Sequence, residues 1–227
     1  MQKKYIPAAV LFVILLVLIA HFGGRLTAVP TFTHAAEEKR VYLTFDDGPS
    51  TVVTNAVLDI LEEENVKATF FVVGARVYGR EETLRRIASE GHTIGVHSNT
   101  HEYMKIYASE ESFLEDIDEC EAIIKKVAGV TPRVYRFPGG GLDHEIKYTP
   151  LVEERGYRVV RWNAVSGDAE ILCATRETLV QRAIDTSKGK SPVVLLMHDS
   201  AKNINTANAL SDIIAYFRAE GYAFCAY

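Results

Sequence analysis

At 227 residues, with 30 acidic against 25 basic side chains and a formal net charge of −5, the chain has no general basic field for nucleic acid. Its 48% hydrophobic and 24% charged content is that of an ordinary globular protein with room for a sizeable core. Three cysteines, Cys120, Cys173 and Cys225, are too few and too scattered for a disulfide framework and lack metal-ligand spacing. They read as three buried free thiols, with one pair plus a free thiol as the alternative.

The first segment stands apart. Lys3 and Lys4 precede a nearly unbroken apolar run from Ile6 to Ala20, closed by His21-Phe22-Gly23-Gly24. A positive start followed by an apolar run is the pattern of a signal peptide or a single-pass membrane anchor over residues 1–25. The lysines hold the N-terminus in the cytosol, so the remainder is expected outside the cytoplasm. If the segment is retained, it ties the chain to the membrane. Residues 26–39 read as a linker and residues 40–227 as one globular domain.

From Arg40 onward short apolar runs alternate with helical patterns. Strands are expected at Val41–Phe45, Ala68–Gly74, His92–His97, Arg133–Phe137, Tyr157–Trp162, Pro192–Met197 and Tyr222–Ala226. Helices are expected over Thr54–Asn65 and Glu81–Glu90, the second closed by Gly91. A longer one runs from a Ser109 cap to Val127, and others over Lys147–Arg155, Thr175–Ser187 and Ala207–Glu220. About seven strands alternating with helices predict an α/β fold of parallel units closed as a distorted (β/α) barrel.

Polar residues of functional type fall at the ends of these strands. Asp46 and Asp47 end the first, His97 the third, Arg136 the fourth and His198 the sixth, while Asp168 follows the fifth. In parallel α/β folds that end of the sheet carries the site, so these residues predict one pocket. Adjacent carboxylates at a strand mouth lose hydration and repel each other, which a cation or an arginine relieves. His97-Ser98-Asn99-Thr100-His101 carries two imidazoles four residues apart, which one helical turn would bring to one side. With Asp47 they make a metal triad with open positions, suited to a zinc hydrolase or a non-haem iron enzyme. One aspartate is enough for the metal and leaves the other free for proton transfer.

Thr44-Phe45-Asp46-Asp47-Gly48-Pro49, His97-Ser98-Asn99-Thr100-His101, Arg136-Phe137-Pro138-Gly139-Gly140 and Leu195-Leu196-Met197-His198-Asp199 occur in that order. Together they resemble the polysaccharide deacetylases, the carbohydrate esterase family that shares the nodulation-deacetylase domain. The resemblance implies metal-dependent removal of N-acetyl groups from amino sugars of a polysaccharide. By position, Asp47, His97 and His101 resemble the family's metal ligands and Asp46 its catalytic base. Arg136 matches the arginine that holds that base, and His198 the general acid. The Gly139 N–H stands where the family stabilises the oxyanion, and Leu196 where a leucine meets the acetyl methyl. Asp168 matches the aspartate that tunes the acid histidine. Zinc is the expected ion, with cobalt, manganese, nickel or iron(II) as alternatives.

Two positions depart from the family pattern. Gly139 stands where an aromatic residue is frequent, and Ala169 follows Asp168 where a pocket tryptophan is usual. Trp162, on the predicted fifth strand, reads as core. Peptidoglycan N-acetylglucosamine is the expected substrate, since an exported enzyme meets the wall first. Chitin-type oligosaccharides, exopolysaccharide and acetylxylan remain open. Two other classes compete: an iron(II) oxygenase built on the same triad, and an inactive carbohydrate-binding relative.

Overall fold

In the computed structural model, residues 38–171 and 173–227 are described. The signal or anchor of residues 1–25, and the linker up to residue 37, lie outside them. The elements are β1 Arg40–Gly48, α1 Val53–Glu63, β2 Thr69–Val73, α2 Glu81–Ser89, β3 Thr93–Ser98, α3 Tyr103–Ile106, α4 Glu110–Ala128 and β4 Val134–Tyr135. They continue with α5 Leu142–Glu154, β5 Arg158–Val159, β6 Ala164–Val165, α6 Arg176–Ser187, β7 Val193–His198, α7 Ile204–Ala219 and β8 Ala223–Cys225. Among the described residues no helix is long and apolar enough to cross a membrane.

Seven strands run in the order β5-β4-β3-β2-β1-β7-β6, and β8 lies against the beginning of β1. Every pairing is parallel. β1 sits centrally and is buried along nearly its whole length, as its unbroken apolar run requires. Helices cover the outer face through their apolar stripes, such as Phe113, Ile117, Cys120 and Ile124 of α4. Ser109 caps α4 by accepting a hydrogen bond from the Ser112 N–H, and Gly129 at φ 70° closes it.

The sheet curls. Phe71 of β2, Val134 of β4, Val160 just past β5 and Val194 of β7 form one buried cluster, with Tyr42, Trp162 and Tyr227 packed against it. Strands that far apart in the order meet only if the sheet wraps around a concave interior. Arg136, directly after β4, likewise reaches Thr44 and Asp46 on β1, past β3 and β2. β5 and β6, at the two ends of the path, do not pair with each other. The fold is therefore the expected (β/α) barrel in its distorted form, open along one side.

Some details differ from the sequence reading. β6 is a two-residue strand that no apolar run announces, and the strand predicted over Tyr157–Trp162 pairs only at Arg158–Val159. The helix predicted from Lys147 begins at Leu142, where Asp143 and Glu145 occupy its electropositive first turn, and it continues through Pro150. The cysteines are free, but only Cys120 is buried; Cys173 is exposed and Cys225 half-buried. Cys173 sits in the turn before α6 with φ 55° and belongs to neither apolar cluster.

Candidate active site

Two local irregularities build the site. Along β1, Asp46 pairs with Phe71 and Gly48 with Val72, so Asp47 is an extra residue without a partner on β2. Along β3, Val96 pairs with Val72 and Ser98 with Val73, which leaves His97 as the extra residue. A regular strand sends consecutive side chains to opposite faces; a bulge re-aims one of them. Asp47 completes its turn at φ 76°, a conformation that L-residues adopt at a cost. Asp46 and Asp47 thus both line a single cavity of about 300 Å³.

His101 reaches the same point by a different route. The predicted helical turn is absent: residues 99–102 form a loop, and His101 itself takes φ 59°. The loop is pinned from α4 by Asp116. Its carboxylate accepts hydrogen bonds from the Asn99 N–H at 2.8 Å, the Thr100 N–H at 3.0 Å and the Thr100 hydroxyl at 3.0 Å. Ser98 Oγ accepts from the His101 N–H at 2.7 Å. Asp116 was missed in the motif reading, yet it left a signal: an acid on the apolar stripe of α4, between Phe113 and Ile117.

Asp47, His97 and His101 each offer one atom, and these atoms lie within 4.8 Å of one another. Nε2 of His101 is 3.0 Å, and Nε2 of His97 is 3.7 Å, from Asp47 Oδ1. The Nδ1 of His97 is 2.8 Å from the Arg136 carbonyl oxygen, which can only accept, so Nδ1 carries the proton and Nε2 presents a lone pair. Burial holds His97 below its ordinary pKa, which favours the neutral ligating form. Burial would raise the Asp47 carboxyl, but His101, His97 and Arg76 outweigh it and hold the group well below the usual carboxylate range. Asp47 Oδ1 is nonetheless buried without a directed hydrogen bond. Acceptors converging this closely on an orphaned oxygen fit a divalent cation, and a set of two imidazoles and one carboxylate suits zinc and its neighbours.

Asp46 has a different environment. Its Oδ1 accepts from Arg136 Nη1 at 2.8 Å, with both side chains almost wholly buried. Arg136 is fixed by further bonds to the Thr44 hydroxyl at 2.8 Å and the Val160 carbonyl at 3.2 Å. The rings of Phe71 and Trp162 lie 4.2 and 5.6 Å from its guanidinium. Asp46 also pairs in register with His198 on β7, so carboxylate and imidazole leave neighbouring strands at the same level.

His198 Nδ1 meets Asp168 Oδ1 at 2.8 Å. Asp168 Oδ2 accepts from the His198 N–H at 2.7 Å and from the Thr206 hydroxyl at 2.7 Å. Burial alone would lower this imidazole, but the Asp168 hydrogen bond and charge, with Asp46 and Asp47 adding to them, raise it to about 9. His198 is therefore an imidazolium at neutral pH, with Nε2–H left for the cavity. Next to it, Asp199 is fully buried, and burial raises its carboxyl to about 7. The Thr54 hydroxyl donates to it at 2.6 Å. A Cβ at Gly48 would sit 2.2 Å from that carboxylate, so the close approach of the two strand ends needs glycine.

Leu196, Gly139, Gly140 and Ala169 line the cavity, as do Tyr103 and Trp162. Gly139 and Gly140 take φ 74° and 59°, and a Cβ there would lie 3.1 Å from the Tyr103 ring and 2.6 Å from the Trp162 ring. Two aromatic rings therefore stand over the Gly-Gly segment. Trp162 is only partly core: half-buried beyond β5, it packs against the inner apolar cluster and also lines the cavity. Tyr103 escaped the motif reading because it belongs to the short α3, which a single-turn apolar pattern does not reveal.

A sequence profile described as polysaccharide deacetylase matches residues 33–160, over half of the chain, and ends before Asp168, Leu196 and His198. Peptidoglycan-N-acetylglucosamine deacetylase PgdA of Listeria monocytogenes is 30% identical over 223 residues, 98% of this chain but 42% of that protein. The chain thus spans less than half the length of that relative. A peptidoglycan-N-acetylglucosamine deacetylase of Bacillus cereus is 32% identical over 205 residues, 87% of this chain and 72% of the other. The crystal structure of the catalytic domain of peptidoglycan N-acetylglucosamine deacetylase from Eubacterium rectale superposes with a TM-score of 0.78 at 34% identity, covering 85% of this chain and 90% of that one. By profile, relatives and superposition, the chain belongs to the polysaccharide deacetylase family.

Proposed function

We propose that this chain is a metal-dependent hydrolase that removes N-acetyl groups from amino sugars of a cell-surface polysaccharide, with peptidoglycan N-acetylglucosamine as the favoured substrate. The observation that carries this reading is the convergence, around one cavity, of an Asp-His-His set, an arginine-held carboxylate and an aspartate-held imidazole. The names of the relatives support the choice of polymer. Asp47, His97 and His101 would hold a divalent ion, zinc being the best match to that donor set, which would supply Lewis acidity for the acetyl carbonyl and for the attacking water.

The residues then divide the work. Asp46, oriented by Arg136, accepts a proton from the attacking water. The Gly139 N–H, unshielded by a side chain, donates to the oxygen that gains charge. His198 delivers its Nε2 proton to the departing amine, and Asp168 keeps that imidazole protonated and correctly turned. Leu196 packs against the acetyl methyl. The apolar N-terminal segment and the location of such substrates support action outside the cytoplasm. A parallel sheet with helical connections argues against the all-β iron oxygenases.

The test is acetate release by the zinc-loaded protein from purified peptidoglycan, chito-oligosaccharides and acetylxylan. Release from peptidoglycan ahead of the other two is the expected result. No acetate from any of them would overturn the reading.

A further inference from the structure

The opening beside the Asp-His-His set forks. A second cavity of about 350 Å³ shares Asp47 and Lys202 with the first and continues past Pro49 and Ser50 to Arg76 and Arg80. Asp47 is the one carboxylate in its lining, against three cations. Arg76 donates through Nη1 to the Asp47 carbonyl oxygen and lies 3.7 Å from Oδ1, so it is half committed to the neighbouring site. Arg80 donates to the carbonyls of Arg76 at 3.0 Å and Tyr78 at 3.4 Å, which fixes its guanidinium without neutralising it. Lys202 is exposed where the two cavities join. Among the described residues neither Arg80 nor Lys202 pairs with a carboxylate. The nearby hydroxyls are already engaged, Ser50 with the Asp199 carbonyl at 2.7 Å and Ser200 with Asn203 Oδ1 at 2.5 Å.

This local charge runs against the chain's net −5. A divalent ion on Asp47 would absorb the single negative charge that offsets it. Two unpaired cations, Arg80 half-buried and Lys202 exposed, in a cavity contiguous with the first favour an anionic group on whatever occupies that site. We propose that this limb binds a carboxylate carried by the substrate beside the sugar being deacetylated, so that the chain selects carboxylate-bearing amino-sugar polymers over neutral ones. The word substrate here rests on the deacetylase reading. An arginine that only braced its own turn would explain the carbonyl contacts of Arg80, but not an unbonded lysine at the junction.

Three soluble glycan fragments of equal length test this. One is a neutral N-acetylglucosamine oligomer, one carries peptide-stem carboxylates on alternate sugars, and one is the second with its carboxylates amidated. Calorimetric binding to the full-length, zinc-loaded chain should favour the carboxylated fragment over its amidated form by about tenfold at low salt, shrinking as salt rises. The Arg80→Gln/Lys202→Gln double variant should lose that preference. Lys202→Gln alone, at an exposed position that makes no bond, should lose about threefold of it, which keeps the test clear of folding effects. Equal binding of the carboxylated and amidated fragments, or a preference undiminished in the double variant, would overturn the proposal. Acetate release from the same fragments reads the other question: none from any of them removes the deacetylase reading, while the binding ratio still decides the limb.

Discussion

Asp46 and Asp47 are consecutive on β1, yet their carboxylates turn to different partners: Asp46 to Arg136 at 2.8 Å, Asp47 to His101 at 3.0 Å. The separation follows from the bulge that leaves Asp47 unpaired and from its φ of 76°. Without it the two side chains would leave opposite faces of the sheet, and only one would reach the cavity. With it, two acids of the same type acquire two environments. One is neutralised by a fixed guanidinium, and the other faces two imidazoles. Opposed environments for like groups are how one site separates metal binding from proton transfer.

The Asp168–His198 pair sets the upper end of the pH profile. With His198 raised to about 9, turnover should hold through neutral pH and fall as pH rises through that value. Asp168→Asn removes the carboxylate charge and should move the fall down toward the ordinary 6.5, lowering turnover at pH 8 by about tenfold or more. Stability follows the same direction. The pair's contribution is complete below pH 6.5 and is lost as pH rises through about 9. Profiles of kcat and of melting temperature against pH, for both proteins, check this.

Asp116 touches no proposed reactant, but it holds the loop that delivers His101. Asp116→Ala leaves the N–H groups of Asn99 and Thr100 without their acceptor, at a cost of about 1–3 kcal/mol. Metal affinity should fall by about 10- to 100-fold, the usual effect of removing the support of a ligand. Titration with a chelator, alongside a thermal melt, separates the loss of metal from the loss of fold.

Gly140→Ala tests the aromatic wall. The added methyl meets the Trp162 ring at 2.6 Å, and the backbone must keep φ 59°. A stability loss of about 1–2 kcal/mol is expected from the backbone alone. Displacing Trp162 should raise KM more than it lowers kcat, since an indole lining the cavity can pack on a substrate but carries no proton for the proposed reaction. Steady-state kinetics on a soluble oligosaccharide would read the split.

Most of the strands and of the residues that line the cavity were legible for a simple reason. Buried strands announce themselves as apolar runs, and residues such as Asp46, His97, Arg136 and His198 stand conspicuously at their ends. The bulges at Asp47 and His97 were not legible, because a bulge is a property of pairing between strands rather than of either strand alone. His101 defeated the helical expectation for a similar reason: the acceptor that bends its loop, Asp116, lies on another element. Trp162 packs on the inner apolar cluster as a core residue would, but pairing stops at Val159 and the ring also lines the cavity, which the sequence does not reveal. Cys173 was expected inside, and its turn holds it at the surface.

The most direct test of the account is metal content and acetate release measured together for Asp46→Asn and Asp47→Asn. Asp46→Asn keeps shape and one oxygen for Arg136 but removes the basic carboxylate. It should retain nearly stoichiometric metal and lose about 10²-fold or more in turnover. Asp47→Asn should instead be purified with little metal and recover partial activity only at high added metal. Loss of metal in Asp46→Asn with retention in Asp47→Asn would contradict the account and reverse the two roles.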